Sequence, residues 1–341
     1  MANWQNHIQP DTMEWLLEED PVNPSIRYFA FKYLMDLSDE DHDLMDAQSE
    51  LMRTGPVATI LSHMQPEGYW ERSDVLYYPK YTGTVWQIIL LAQLGADGSH
   101  PQVKKACDYL MDHAIGKFGG FSAGNTEAGA IHCLQGNLCK ALLDLGFQGD
   151  PRLMGAVEWM ACSITGSPFH AGGETKEIRC LRSGISGPGF LCSANDHQPC
   201  AWGATKAALA LAAVPEKLRT PIVREAIQSA LKFLLSCDPA TAEYPHPYAP
   251  KPSGSWFKFG FPVFYVTDLL QVLEALLVMG VGQDPRLASA IVWLLENRDE
   301  ASHWRLTYTY HGKTWTDIEE KHQPSKWVTL RALRVLKGYF S

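Results

Sequence analysis

The chain has 341 residues, 46% hydrophobic and 20% charged, an ordinary globular composition that excludes a disordered polymer. Its formal net charge of −9, with no basic stripe, argues against a nucleic-acid partner, whose phosphates are met by clustered Lys and Arg. The opening "MANWQNHIQPDTMEWLLEED" has no basic stretch followed by an apolar one. The longest apolar run, Ala207 to Val214, falls well short of the about 18 residues a membrane span needs, so a soluble cytoplasmic protein is expected.

In chain order, residues 1–23 read as an N-terminal extension to a single domain whose helical repeats run from 24 to 338. A helix pair is predicted in "PSIRYFAFKYLMDL" (24–37) and "DAQSELMRTGPVATILSHM" (46–64). After Trp86, "LLAQLGADGSHPQVKKACDYL" gives an apolar helix, a Gly turn and a second helix opened by Pro.

The same plan recurs more clearly downstream. "ALLDLGFQGDPRLMGAVEW" from Ala141 matches "ALLVMGVGQDPRLASAIVW" from Ala275 at an offset of 134, with Gly146/Gly280, Asp150/Asp284, Pro151/Pro285 and Trp159/Trp293 equivalent. At half that offset, 67, Cys133-Leu-Gln-Gly136 matches Cys200-Ala-Trp-Gly203, each opening an Ala/Leu-rich helix. "WVTLRALRVLK" from Trp327 starts a last copy.

Helix pairs repeated at this interval must stack to bury their apolar faces. About six hairpins are expected. The final helix is apolar on its inner face and ends the chain without a polar capping repeat, which favours closure into an α/α toroid over an open solenoid. The first helix of each pair would lie inside and the second outside.

"MQPEGYW" at 64–70 resembles the Gln/Trp repeat of squalene-hopene and oxidosqualene cyclases, one residue short, and "GGFS" at 119 and "SHW" at 302 resemble degenerate copies. Over roughly 24–338 the chain is similar to bacterial prenyltransferase and squalene-cyclase repeat proteins, which implies an α/α toroid of the terpenoid cyclase/protein prenyltransferase kind with a central cavity. The Asp-rich DxDD acid motif of squalene-hopene cyclases is absent, as is the DDxxD of diphosphate-ionising synthases; "DLSDEDHD" at 36–43 matches neither.

Eight cysteines in an apparently cytosolic chain argue against a disulfide framework. In a toroid, Cys133 and Cys200 stand at the N-termini of adjacent inner helices, where the helix dipole favours thiolate. With Cys192 and His197 on the intervening loop they make a candidate tetrahedral zinc set, and His132 is an alternative ligand or a base beside it. The resemblance extends to two other toroid families with cavity zinc: protein prenyltransferase β-subunits, which use Asp, Cys and His, and lanthipeptide cyclases, which use two Cys and one His. This chain has Ile131 where the former place Asp, and lacks the adjacent Cys-His-Gly of the latter. Two other readings stay open: Cys133 and Cys200 as small residues for tight packing, and Cys200 as a metal-free nucleophile. Cys107, Cys139, Cys162 and Cys237 read as packing.

Asp268 falls beside the position where the 67-residue spacing would put a third Cys, as a ligand, a general acid/base or a helix N-cap. Aromatic-rich loops at 77–86, 243–265 and 304–315 either roof the cavity or plug the ring. Trp86, Tyr81, Trp202, Tyr265 and Trp327 are the candidate substrate-binding residues. "SGISGPG" at 183–189 is Gly-rich but lacks the Gly-Lys-Ser/Thr of a phosphate loop. The resulting expectation is a zinc-dependent enzyme using Lewis-acid or acid/base chemistry on a small, largely apolar, isoprenoid-like substrate. The alternative is a non-catalytic small-molecule-binding toroid with structural cysteines or a structural metal.

Overall fold

The computed structural model describes residues 4–124, 126–171, 174–176, 186–247 and 251–341. The start of the Gly-rich stretch, 183–185, and residues 248–250 of the aromatic loop lie outside the described residues. The first helices are α1 (Asp11–Leu17), α2 (Ser25–Phe29, continued by a π-helical turn Ala30–Leu34), α3 (His42–Arg53), α4 (Gly55–Ser62), α5 (Thr84–Gln93) and α6 (Pro101–Ala114). They are followed by α7 (His132–Asp144), α8 (Pro151–Thr165), α9 (Ala201–Ala213), α10 (Pro221–Leu234), α11 (Leu269–Val278), α12 (Ala288–Glu296) and α13 (Lys326–Phe340).

Six of these form an inner ring. Packing runs from α5 to α7, α9, α11, α13 and α2, and the circle closes where Gly95, just past α5, lies against the rings of Tyr28 and Phe29 on α2. The second helix of each pair covers this ring from outside: α6 on α5, α8 on α7, α10 on α9 and α12 on α11. The protein is the expected all-α toroid. Residues 11–17, within the segment set apart as an extension, form α1, which packs on α2 and α13. It is tied to the far end of the chain by Gln9 N–H to Ser302 Oγ (3.1 Å) and Thr12 Oγ1 to Ala301 O (3.0 Å).

The composition of each layer follows from its place. The inner helices α5, α7 and α9 touch neighbours on all sides and are buried nearly throughout, whereas the outer α6 and α10 bury one stripe. Inner α5, α7 and α11 end at Gly95, Gly146 and Gly280, with φ of 78°, 88° and 86°, the left-handed conformation that glycine adopts without penalty. Outer elements are then started by Asp150 and Asp284, whose carboxylates cap the N–H groups of Arg152 and Arg286 just after a proline.

The aromatic repeat has a common hydrogen-bonding role. Trp70 Nε1 donates to Ile60 O and Trp304 Nε1 to Leu294 O, each at 2.8 Å, and Tyr244 Oη donates to Leu234 O at 2.7 Å; all three carbonyls lie ten residues upstream near the end of an outer helix. The backbone N–H groups of Trp70, Phe121 and Trp304 donate to Thr84, Gln135 and Thr329, on the next inner helix, at 3.0 Å each. Trp70 and Trp304, which make both bonds, thus fasten an outer helix to the following inner one. The second helix of the N-terminal pair departs from expectation: it breaks at Thr54, because Gly55 at φ 65° turns the chain against Pro24.

Among the described residues, no helix is long and apolar enough to cross a membrane. The strands are short and peripheral: Phe169–Ala171 pairs antiparallel with Glu174–Lys176, and Ser186–Gly187, Leu191–Cys192 and Gln198–Pro199 form a three-stranded sheet beside the start of α9.

Candidate functional site

The two CxxG segments explain how α7 and α9 meet. A Cβ on Gly136 would lie 2.3 Å from the carbonyl carbon of Lys206 and 2.5 Å from Ala207 N, so this crossing admits only glycine. Gly203 faces back in the same way, its missing Cβ 3.2 Å from His132 Cβ and 3.8 Å from Cys133 Sγ. Close backbone approach brings together the side chains on either side of the contact.

One group so assembled is a row of thiols. Cys200, the N-cap residue of α9, lies near Cys133 on α7 and Cys192 on the short sheet, all three half-buried. The expectation of a thiolate is corrected at Cys200. Cys200 is pushed up to about 12, chiefly by sharing a proton with Cys133, and burial adds to this. Cys192 is raised as well, chiefly by its bond to Cys200 and then by desolvation. At Cys200 the helix N-terminus does not outweigh these effects.

His197 stands away from the row on an exposed turn, where it and Asp196 adopt positive φ and its N–H bonds Cys192 O at 3.0 Å. Among the described residues, no group of three or more His, Cys, Asp or Glu side chains is placed to hold a metal ion.

His132 and Asp268 have clear partners. His132 lies between inner and outer rings, its Nε2 at 3.0 Å from Ser163 Oγ and its ring edge-on to Phe190; burial holds it down to about 4, so it is neutral. Asp268 caps α11 through Gln271 N–H (2.8 Å), accepts Gly260 N–H (3.1 Å) and is paired at 3.1 Å with Arg331, whose guanidinium also binds Glu274. Both carboxylate oxygens are occupied. Of the roles read from the sequence, the helix cap is the one this geometry displays.

Trp86, Tyr81 and Tyr265 join Tyr77, Phe264 and Tyr310 in a contiguous aromatic cluster, with ring centroids 4.6 to 6.3 Å apart. Trp86 is fully buried, its Nε1 donating to Tyr77 O. Burial raises the Tyr265 phenol well above its usual 10. The cluster plugs the ring at the N-terminal end of the inner helices instead of roofing an open space. Trp202 is half-buried in the first turn of α9.

The open space is at the other end. A cavity of about 1030 Å³ opens among the inner helices, its walls combining Phe29, Trp327, Leu209 and Leu330 with charged side chains such as Lys140, Asp144 and Arg334. Its inner end is closed by the segment Phe261–Tyr265, which crosses the ring as a strap. Gln93 on α5 holds the strap by two bonds to Val263 (2.9 and 2.7 Å), and Asn137 on α7 bonds Phe264 O at 3.2 Å. Phe261 stacks on Trp327 with centroids 3.8 Å apart. Trp327 is thus the one candidate substrate-binding residue that lines this cavity.

Sequence reasoning passed over Lys206. This fully buried lysine of α9 lines the inner end of the cavity, and its Nζ bonds the side-chain carbonyl of Gln271. Burial pulls it down to about 7, against the attraction of Cys133, Asp268 and Glu274 and with the repulsion of Arg331. A signal was available: "GATKAALALAA" carries a single charge in a helix otherwise apolar on all sides, and such a charge has no solvated face to occupy.

No family model and no curated protein matches the chain. Among solved structures it is similar to the type II terpene cyclase MstE from Scytonema in its apo form, at 16% identity and a TM-score of 0.31, over 82% of this chain and 95% of that one. A variant of that enzyme with geranylgeranyl dihydroxybenzoate, described as substrate, gives 16% and 0.33, over 83% and 95%. Another with merosterolic acid A, described as product, gives 16% and 0.34, over 83% and 94%. These scores are too low for the likeness to bear on the ligand or reaction of this chain.

Proposed function

We propose that this protein is an enzyme that takes a small, largely apolar, isoprenoid-like molecule into the ring and acts on it by acid/base chemistry at Lys206. The observation that carries this reading is the cavity of about 1030 Å³ ending on a fully buried amine. The walls are mixed: Phe29, Leu209, Leu330 and Trp327 give an apolar part that binds by excluding water, and Lys206, Gln271, Glu274 and Arg331 are polar groups that fix orientation. An amine at about 7 is substantially unprotonated near neutral pH and accepts a proton from a C–H or O–H acid brought against it. Asp268, Glu274 and Arg331 are taken up by one another and are not free to react in its place.

Titration with geraniol and geranylgeraniol, read by tryptophan fluorescence and native mass spectrometry, tests the reading, since Trp327 stands on the cavity wall. Saturable one-to-one binding, lost in Leu209→Trp with the helical circular dichroism unchanged, is expected. Absence of saturation with every isoprenoid alcohol removes the proposal.

A second reading keeps the thiol row as the reacting centre, with Cys133, Cys192, Cys200 and His197 as zinc ligands. The convergence of three thiols from α7, α9 and the short sheet favours it. It requires the row to close around an ion and the exposed His197 turn to move toward it. About one zinc per untagged chain, lost in both Cys133→Ser and Cys200→Ser, would support it; folded protein without zinc after growth in zinc-supplemented medium would sink it.

A further inference from the structure

The cavity sets a requirement on the head of its ligand. Lys206 enters the inner end from α9 and meets Gln271 from α11, while Asp268 and Glu274 on α11 are taken up by Arg331 from α13. The amine therefore has a neutral amide as its hydrogen-bond acceptor and no carboxylate in an ion pair with it among the described residues. A lysine placed to recognise an anion would keep its charge and stand near solvent; this one is buried, in contact with a neutral group, and part of the cavity lining.

We propose that Lys206 is a nucleophile that captures a carbonyl compound, an aldehyde or ketone with an apolar body, as an imine. The proposal rests on the cavity reading above and names the substrate class. The nitrogen lone pair attacks the carbonyl carbon and forms the C–N bond, and the carbonyl π pair moves to oxygen, which takes a proton. Loss of that oxygen as water, carrying both amine hydrogens, leaves the C=N bond. No oxidant or reductant is consumed. Gln271 Oε1 accepts an N–H while the lone pair turns to the ligand, and the burial of the amine limits the water that would reverse the condensation.

The environment favours the reactive form. Burial pulls the amine to about 7, and the groups facing it from every packed element are Cys133 on α7, Asp268, Gln271 and Glu274 on α11, and Arg331 on α13. At neutral pH, an amine lowered by this much carries on the order of a thousandfold more free base than an exposed lysine, partly offset by its lower intrinsic nucleophilicity.

The test uses the full-length protein, geranial as probe and sodium cyanoborohydride as trap, with peptide mapping by mass spectrometry and geraniol binding measured alongside. One reduced adduct is expected, on the peptide carrying Lys206, formed roughly tenfold or more faster than at any other lysine. It should disappear in Lys206→Met and fall in Leu209→Trp, which keeps the lysine but fills the chamber. If Lys206→Met fails to fold, Lys206→Arg and Leu209→Trp carry the same comparison. Saturable geraniol binding with adducts spread over exposed lysines and none at Lys206 overturns the imine and leaves the cavity reading standing. Failure of geraniol to bind, with no Lys206 adduct, overturns both.

Discussion

Gly136 on α7 lies flat against the backbone of Lys206 on α9, so the helix crossing that positions the buried amine depends on a missing side chain. A methyl group there would meet main-chain atoms, which cannot swing aside as a side chain would. Gly136→Ala should therefore cost about 1–3 kcal/mol in urea denaturation, despite alanine's better helix propensity. Gly155→Ala on outer α8, where nothing lies within 4 Å of the new methyl, should gain about 0.5–1 kcal/mol. Equal effects at the two sites would discount the close crossing.

Arg331 joins Asp268 and Glu274 in the wall of the ring, with side-chain exposures of 6%, 4% and 17%. Arg331→Leu leaves two carboxylates buried without their cation and should cost about 3–5 kcal/mol. Thermal melts at matched pH measure it. An unchanged melting temperature would mean that water reaches these groups.

His132 links stability to pH. Its folded-state value of about 4 lies below the ordinary value of 6.5, so the unfolded chain takes up a proton first as pH falls. This contribution is fully present above about 6.5 and is lost progressively down to about 4, a change of about 3 kcal/mol. His132→Gln should flatten the stability profile in that window relative to wild type. A parallel profile would mean that the imidazole titrates normally.

Trp70 and Trp304 test the anchor repeat. Trp70→Phe removes the indole N–H and leaves Ile60 O with only the His63 N–H at 3.2 Å, at a cost of about 0.5–1.5 kcal/mol for the lost bond. Trp304→Phe should cost a similar amount through Leu294 O. Urea midpoints decide; a neutral result in both would reduce these residues to space-filling.

The toroid was readable because its repeat is written in residues with local jobs. Gly146 and Gly280 stop inner helices, while Asp150 and Asp284 start the next elements, and such signals act within one turn of the chain. The approach of Cys133 to Cys200 was also legible, since equivalent positions of adjacent repeats are neighbours in a closed ring. The ionisation of Cys200 was not, because it depends on neighbouring thiols and burial rather than on helix position. The strap was hidden for another reason: Phe261 and Phe264 read as one more aromatic loop, and only Gln93 and Asn137, far away in sequence, hold them across the ring. Lys206 needed both facts, since its partner Gln271 comes from the following repeat.

The strap bars the inner end of the cavity: a molecule entering between the ends of α5, α7 and α13 meets Phe261 and Val263 before it can pass through the ring. Under the function proposed above, product and substrate would share that space, and product is expected to compete with substrate for it.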